Sequence, residues 1–174
     1  MKVHPQTNES LTHLGELIEG INVAMLTIST AEGVLVSRPM TPLEMDDTGC
    51  LWFFTDVRTS SSEQLRAVNL SFADTDRGVY VSLSGVGTLH ADRSRIAELW
   101  TPMAKPWFPE GPESTNLALI RIQPEMAEFW DTPHSKMVRM FAMAASVVAG
   151  KPIDLGEHAK ISNLSTHGDK GTCS

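Results

Sequence analysis

Cysteine is scarce in this chain: only Cys50 and Cys173 are present, far apart, the second in a polar stretch. That excludes a disulfide framework and a CxxC redox or zinc pair, and leaves Cys50 as a small buried hydrophobe. Long apolar runs are missing too. Nothing approaches the roughly 20 residues that cross a bilayer, and Met1 to Glu9 is polar without an apolar signal core, so a cytoplasmic protein with no membrane partner is expected. Positive charge is in deficit, with 14 Lys and Arg against 21 Asp and Glu and a net charge of −7. The cations are scattered, which removes the electrostatic footprint of a nucleic-acid binder. The sequence has no GxxxxGK[ST], GxSxG or HExxH. Gly85-x-Gly87 has His90 where a dinucleotide fingerprint needs its third glycine, and it sits inside a strand-like run. His4, His13, His90, His134, His158 and His167 show no ligand spacing, so no metal is expected.

What is present suits one domain. The chain has 174 residues and 41% hydrophobic content, enough for one core. A single domain over residues 1–163 is expected, followed by a polar tail at 164–174 too poor in apolar groups to offset its ordering entropy. Leu11, Leu14, Leu17 and Ile18 recur at helical spacing behind Asn8 and Ser10, predicting an amphipathic helix that ends near Gly20. Three short β-rich runs follow, Asn22 to Ser29, Val34 to Met40 and Cys50 to Thr55, and read as a meander. The turns between them are Thr30 to Gly33 and Asp46 to Gly49. A short helix is expected over Ser60 to Val68, then strands Leu70 to Ala73, Val79 to Ser84 and Val86 to His90. Asp92 can cap a helix from Arg93 to Trp100 that Pro102 stops. Thr101 to Thr115 is an irregular, proline-rich loop around Trp107 and Phe108. Strands Leu117 to Ile122 and Met126 to Trp130 come next, then a helix over Lys136 to Ala149. Strand follows strand too often for βαβ units, so the expected class is α+β, mainly β: an antiparallel barrel with flanking helices.

The segment Thr55-Asp56-Val57-Arg58-Thr59-Ser60-Ser61-Ser62-Glu63 leaves a strand for the expected helix. Ser60 and Glu63 have capping-box spacing. Two readings stand: a plain capped helix, or a phosphate cradle of helix N–H groups, hydroxyls and nearby guanidinium groups. Arg58 is local, and Arg38 on an earlier strand can reach the same end of a barrel and contact a phosphate bidentately. Pro39 cannot donate to a ladder, so Arg38-Pro39-Met40 is expected to have free backbone, as an empty bulge or as a reader of a ligand's polar edge. Trp100, Trp107 and Phe108 read as a stacking wall or as plain core and interface.

These pieces resemble a known family. Ser37-Arg38-Pro39-Met40, Leu51-Trp52-Phe53-Phe54-Thr55, Tyr80-Val81-Ser82-Leu83-Ser84-Gly85, Asp92-Arg93, Glu98-Leu99-Trp100, Trp107-Phe108-Pro109-x-Gly111 and Ala127-Glu128-Phe129-Trp130 occur in order. They are similar to the general stress protein 26 group of the pyridoxamine 5′-phosphate oxidase-like, FMN-binding split-barrel superfamily. The resemblance implies a split antiparallel β-barrel that binds FMN, with FAD as the alternative, at a homodimer interface. It implies that Ser37, Arg38, Pro39 and Met40 line the isoalloxazine, and that Phe54 and Thr55 contact the flavin and its phosphate. Thr59, Ser60 and Ser61 would hold the phosphate. Tyr80 would reach the flavin of the other subunit, and Trp107 would lie near the ring. One departure stands out: the family usually has a lysine, and the oxidases a basic pair, where this chain has Ser60 and Ser61. Losing a charge-assisted contact costs about 1 to 3 kcal/mol, and Arg38 and Arg58 are expected to compensate in part.

The substrate-gripping basic and histidine residues of true pyridoxamine phosphate oxidases have no match near Lys136, Arg139 or His158, so that activity is not expected. Three functions remain open: a flavin-dependent oxidoreductase acting in stress response, a flavin-sequestering or sensing module without turnover, and a cofactor-free dimeric interaction protein. No catalytic residue is assigned, because the flavin itself would carry the electron or hydride.

Overall fold

A computed structural model describes residues 1–131, 157–162 and 164. The elements, in chain order, are β1 (Lys2–Val3), α1 (Glu9–Ile18), β2 (Ala24–Ser29), β3 (Leu35–Met40), β4 (Pro42–Met45) and β5 (Leu51–Asp56). Then come β6 (Val68–Asp74), β7 (Val79–His90), α2 (Arg93–Leu99), two 3₁₀ turns, β8 (Leu117–Asp131) and β9 (Glu157–Ser162). The expected helix over Lys136 to Ala149 and the tail from residue 165 lie outside the described residues. Leu164, where the expected tail begins, is buried in the core.

Asn8 starts α1 by accepting hydrogen bonds from the N–H groups of Ser10 and Leu11, as an N-cap should. Leu11, Leu14, Leu17 and Ile18 then form the face that α1 buries. Asp92 caps α2 in the same way. The turns read from the sequence also hold: Gly33 donates to Thr30 O and Gly49 to Asp46 O, each at 3.0 Å. Both glycines have φ near +80°, a conformation that favours glycine.

Among the described residues nine strands join one curled sheet, ordered β1-β4-β5-β8-β7-β6-β2-β3, with β9 added beside β8. The expected class, mainly β with flanking helices in a split barrel, is the fold found. Inward residues of both halves of the sheet meet α1 in one core, among them Leu26, Phe53, Leu70, Phe72, Leu83 and Ile120. A second cluster of Trp52, Ile96, Leu99, Leu117 and Leu119 packs α2 on the outside of β5 and β8.

Four expectations are corrected. The first three strands are no meander: β2 and β3 form a hairpin at one end of the order, β4 and β5 another near the opposite end. Only Thr41 separates β3 from β4, so the chain passes straight from one end of the strand order to the last strand but one at the other. Ser60 to Val68 is not a helix. One turn forms, in which Gln64 N–H donates to Ser61 Oγ at 3.4 Å and Ser61 N–H donates to Gln64 Oε1 at 3.3 Å. This is a capping box shifted by one residue from the expected Ser60 and Glu63, and Val68 is already committed to β6 opposite Gly85. Finally, the breaks expected near Gly85 and between Ile122 and Met126 do not divide strands. β7 and β8 run unbroken past each other, and a register shift between Ser84 and Gly85 absorbs the irregularity. The short β1, β4 and β9 were not anticipated.

Gly85 is required at that shift, because a Cβ there would stand 2.1 Å from the carbonyl oxygen of Gln123. Gly85→Ala is expected to destabilise the fold by about 3 kcal/mol, the cost of forcing backbone apart in a packed sheet. Denaturant unfolding measures it; an unchanged midpoint would show that the two strands can part at no cost.

Candidate functional site

Both faces of β5 are buried, and this positions the site. Leu51, Phe53 and Thr55 alternate inward, while Trp52 and Phe54 pack against the outer cluster. Phe54 meets Trp100 at 5.7 Å and Phe108 at 6.3 Å between ring centroids. Asp56 then opens a tight turn: the N–H and Oγ1 of Thr59 both donate to Asp56 O at 3.0 Å. The Arg58 N–H donates to Asp56 Oδ1 at 2.9 Å. An aspartate that binds the amide two residues on is a common turn former, and here the turn sends Thr59 and Ser60 back towards β3.

Arg38 meets them there. Its Nη1 donates to Thr59 O at 3.2 Å and Thr59 Oγ1 at 3.3 Å, and its Nη2 donates to Ser60 Oγ at 2.6 Å. Ser60 Oγ in turn lies 2.9 Å from Thr55 Oγ1, and both hydroxyl residues are buried. The remaining donor, Arg38 Nε, is buried without a partner. Burial lowers the Arg38 pKa from its ordinary value, yet the group stays a cation, since guanidinium keeps its proton in proteins. An orphaned donor on a half-buried cation is a demand for a negatively charged acceptor. The residue set can hold a phosphate group, such as that of a flavin.

Of the residues picked from the sequence, Arg38, Thr55, Thr59 and Ser60 come together. Ser61 is exposed and spends its bonds on Gln64. Ser37 turns to the other face of β3, its hydroxyl 2.7 Å from Thr27 Oγ1; Pro39, opposite Met25, faces the same way, and Met40 packs against the core. The free backbone expected at Arg38 to Met40 exists along one side only: β3 pairs with β2 in unbroken register, and its other side ends the sheet order. Tyr80 sits at the start of β7 between Ala73 and Trp130. Tyr80 and Trp107 are exposed, at 42% and 72%, and neither shares a hydrogen bond or ring contact with Arg38, Thr55, Thr59 or Ser60.

Arg58 does not compensate for the missing cation as expected. Its Nε donates to both oxygens of Asp56 at 2.9 and 3.1 Å, and its Nη2 to Oδ2 at 2.5 Å. Asp56 was not singled out from the sequence, although an Asp two residues before an Arg in a turn is a signal for this pairing.

Residues 9–154 match the family described as pyridoxamine 5′-phosphate oxidase like. The chain belongs to this family. The chain is 25% identical over 150 residues to protein bli-3 of Neurospora crassa, covering 72% of that protein. A candidate general stress protein 26 from Jannaschia sp. CCS1 is similar at 26% identity and a TM-score of 0.69, over 89% of this chain and 99% of that one. The general stress FMN/FAD binding protein of Xanthomonas citri is 27% identical with a TM-score of 0.61, over 74% and 93% of the two chains.

The turn carries its own pH signature. Hydrogen bonds from Arg58 push the Asp56 pKa down to about 2. The folded-state value is depressed, so this pair supports the turn above the ordinary carboxylate range, and the support is lost as pH falls towards about 2. Exchange of the Thr59 amide should therefore gain protection-loss on acidification that Asp56→Asn does not show. Equal responses in both proteins would remove the pair as the cause.

Proposed function

We propose that this chain is a flavin-binding protein of the general stress protein 26 type, holding the ribityl phosphate of FMN or FAD at Arg38, Thr55, Thr59 and Ser60. The observation that carries this reading is the unpartnered Nε of Arg38, buried beside a turn of hydroxyl groups at the seam of the barrel. The open edge of β3 offers backbone groups to the ring's polar rim. The Xanthomonas citri relative, described as binding FMN or FAD, supports a flavin as the ligand.

A bound flavin supplies hydride or electron transfer through its own ring. This chain's residues bind and orient it. The cradle consists of hydroxyls and one guanidinium, groups that grip an anion but exchange no proton near neutral pH. That composition favours the second reading, a flavin-holding or sensing module, as much as an oxidoreductase. Oxidation of pyridoxamine 5′-phosphate is not proposed.

A cytoplasmic homodimer completes the proposal. Among the described residues no helix is long and apolar enough to cross a membrane. Tyr80, Met103, Trp107 and Trp130 are exposed, and large apolar groups left open on a small barrel suit a self-association surface. A second copy would bring Tyr80 to the ring. Sedimentation at micromolar concentration should give a dimer; a clean monomer with and without flavin would count against a two-chain site.

Calorimetry tests the cradle. Arg38→Ala should weaken FMN by about ten- to a hundredfold, equivalent to the loss of about 1.5 to 3 kcal/mol from a charged hydrogen-bond donor. Riboflavin, which lacks the phosphate, should change little. Equal losses for both ligands would move Arg38 from the phosphate to the ring.

A further inference from the structure

We infer that the cradle is matched to a singly charged phosphoryl group, the diester type found in a dinucleotide flavin, and that Asp56 sets this preference by withholding Arg58. The inference rests on the reading that the cradle holds a flavin's phosphate.

The charge count leads to it. Among the described residues Arg38 is the one cation bonded into the cradle. Ser60 and Ser61 are uncharged, and both Nε and Nη2 of Arg58 are turned onto the Asp56 carboxylate. A phosphate monoester, as in FMN, carries about −1.5 to −2 at neutral pH because its second pKa lies near 6. A phosphate within a diester or pyrophosphate bridge has only one ionisable oxygen and one charge. Arg38 neutralises one charge; among the described residues of one chain no second cation is bonded to the cradle, and a second negative charge meets the Asp56 carboxylate at the root of the same turn. With Thr55 and Ser60 buried, water is only partly available to make up the difference, and an unpaired charge in such a place is costly. The geometry leaves room for the second ester arm. Thr59 and Ser61 are exposed, and the Arg58 side chain is 68% exposed, so a substituent on the phosphate can leave outward past the turn.

The charged groups on the segments that meet here are Arg38 of β3 and Asp56, Arg58, Glu63 and Arg66 of the connection from β5 to β6. None of these described groups is a histidine. A change in affinity between pH 5.5 and 7.5 is therefore assigned to the phosphate of the ligand.

The experiment titrates the full chain with riboflavin, FMN and FAD at those two pH values. The dissociation constant of FMN should rise at least about threefold from pH 5.5 to 7.5, as the second phosphate proton is lost. Riboflavin and FAD should change less than about twofold, and FAD should bind more tightly than FMN at the higher pH. Asp56→Asn frees Arg58 and should tighten FMN at pH 7.5 by about fivefold or more relative to FAD, flattening its pH dependence. The double variant Asp56→Asn, Arg58→Ala should lose that gain. FMN binding that is level or stronger at pH 7.5 would overturn the inference, as would a folded Asp56→Asn protein with an unchanged FMN-to-FAD ratio. If Asp56→Asn does not fold, the pH series on the native chain decides alone. If neither phosphorylated flavin outbinds riboflavin, the cradle reading itself fails and takes the inference with it; tight FMN without the pH response removes the inference alone.

Discussion

The guanidinium of Arg38 ties together two parts of the chain that the sheet itself leaves unpaired. β3 ends the strand order on one side, while the turn after β5 belongs to the other side. Among the described residues no backbone ladder joins them; three hydrogen bonds from Arg38 to Thr59 and Ser60 do. A cation drawn in from water needs acceptors, and each one found here fixes something else. Thr59 is presented only because Asp56 closes its turn, and Ser60 only because Thr55 meets its hydroxyl from the buried end of β5. Seam, turn and candidate cradle are one arrangement, and the donor left over on Arg38 is the part of it that remains unsatisfied.

The fold could be read from spacing wherever a side-chain period was strong. Leu11 to Ile18 repeats at helical spacing under a good cap, and runs such as Ala24–Ser29 and Val79–His90 alternate cleanly between core and surface. Spacing failed where tertiary pairing outweighed local preference. Ser60 to Val68 carries capping signals, yet β6 claims Val68 and only one helical turn survives. Gly85 and Pro124 look like breaks but sit opposite each other across the same two strands, where a missing Cβ and a register shift let the ladder continue. A two-residue strand such as β1 has no period to detect at all.

The site was half visible for a related reason. Residue chemistry pointed to Arg38, Thr55, Thr59 and Ser60, because a guanidinium and hydroxyls near a turn suit a phosphate whatever the exact backbone. The helix dipole invoked with them is not there, so the cradle depends on side chains and the Arg38 charge. Whether Arg58 joined the cradle could not be read from composition. It depended on a bidentate pair with Asp56, which a change in turn geometry would have broken.

The alternation of β5 separates the phosphate end from the aromatic groups. Thr55 points towards the core side that Arg38 and Ser60 reach. Phe54, one residue earlier, points the opposite way into Trp100 and Phe108, and Trp107 lies exposed beside Phe108. A strand cannot present neighbouring residues to the same face. The aromatic surface of one copy is thus carried on the far side of the strand from its own cradle, while Tyr80 stands exposed ten residues along β7 from His90. A flat ring anchored by its phosphate at Arg38 would be met more readily by exposed groups of a neighbouring chain than by Phe54 of its own. That placement of the aromatic groups is the physical argument for the dimeric proposal.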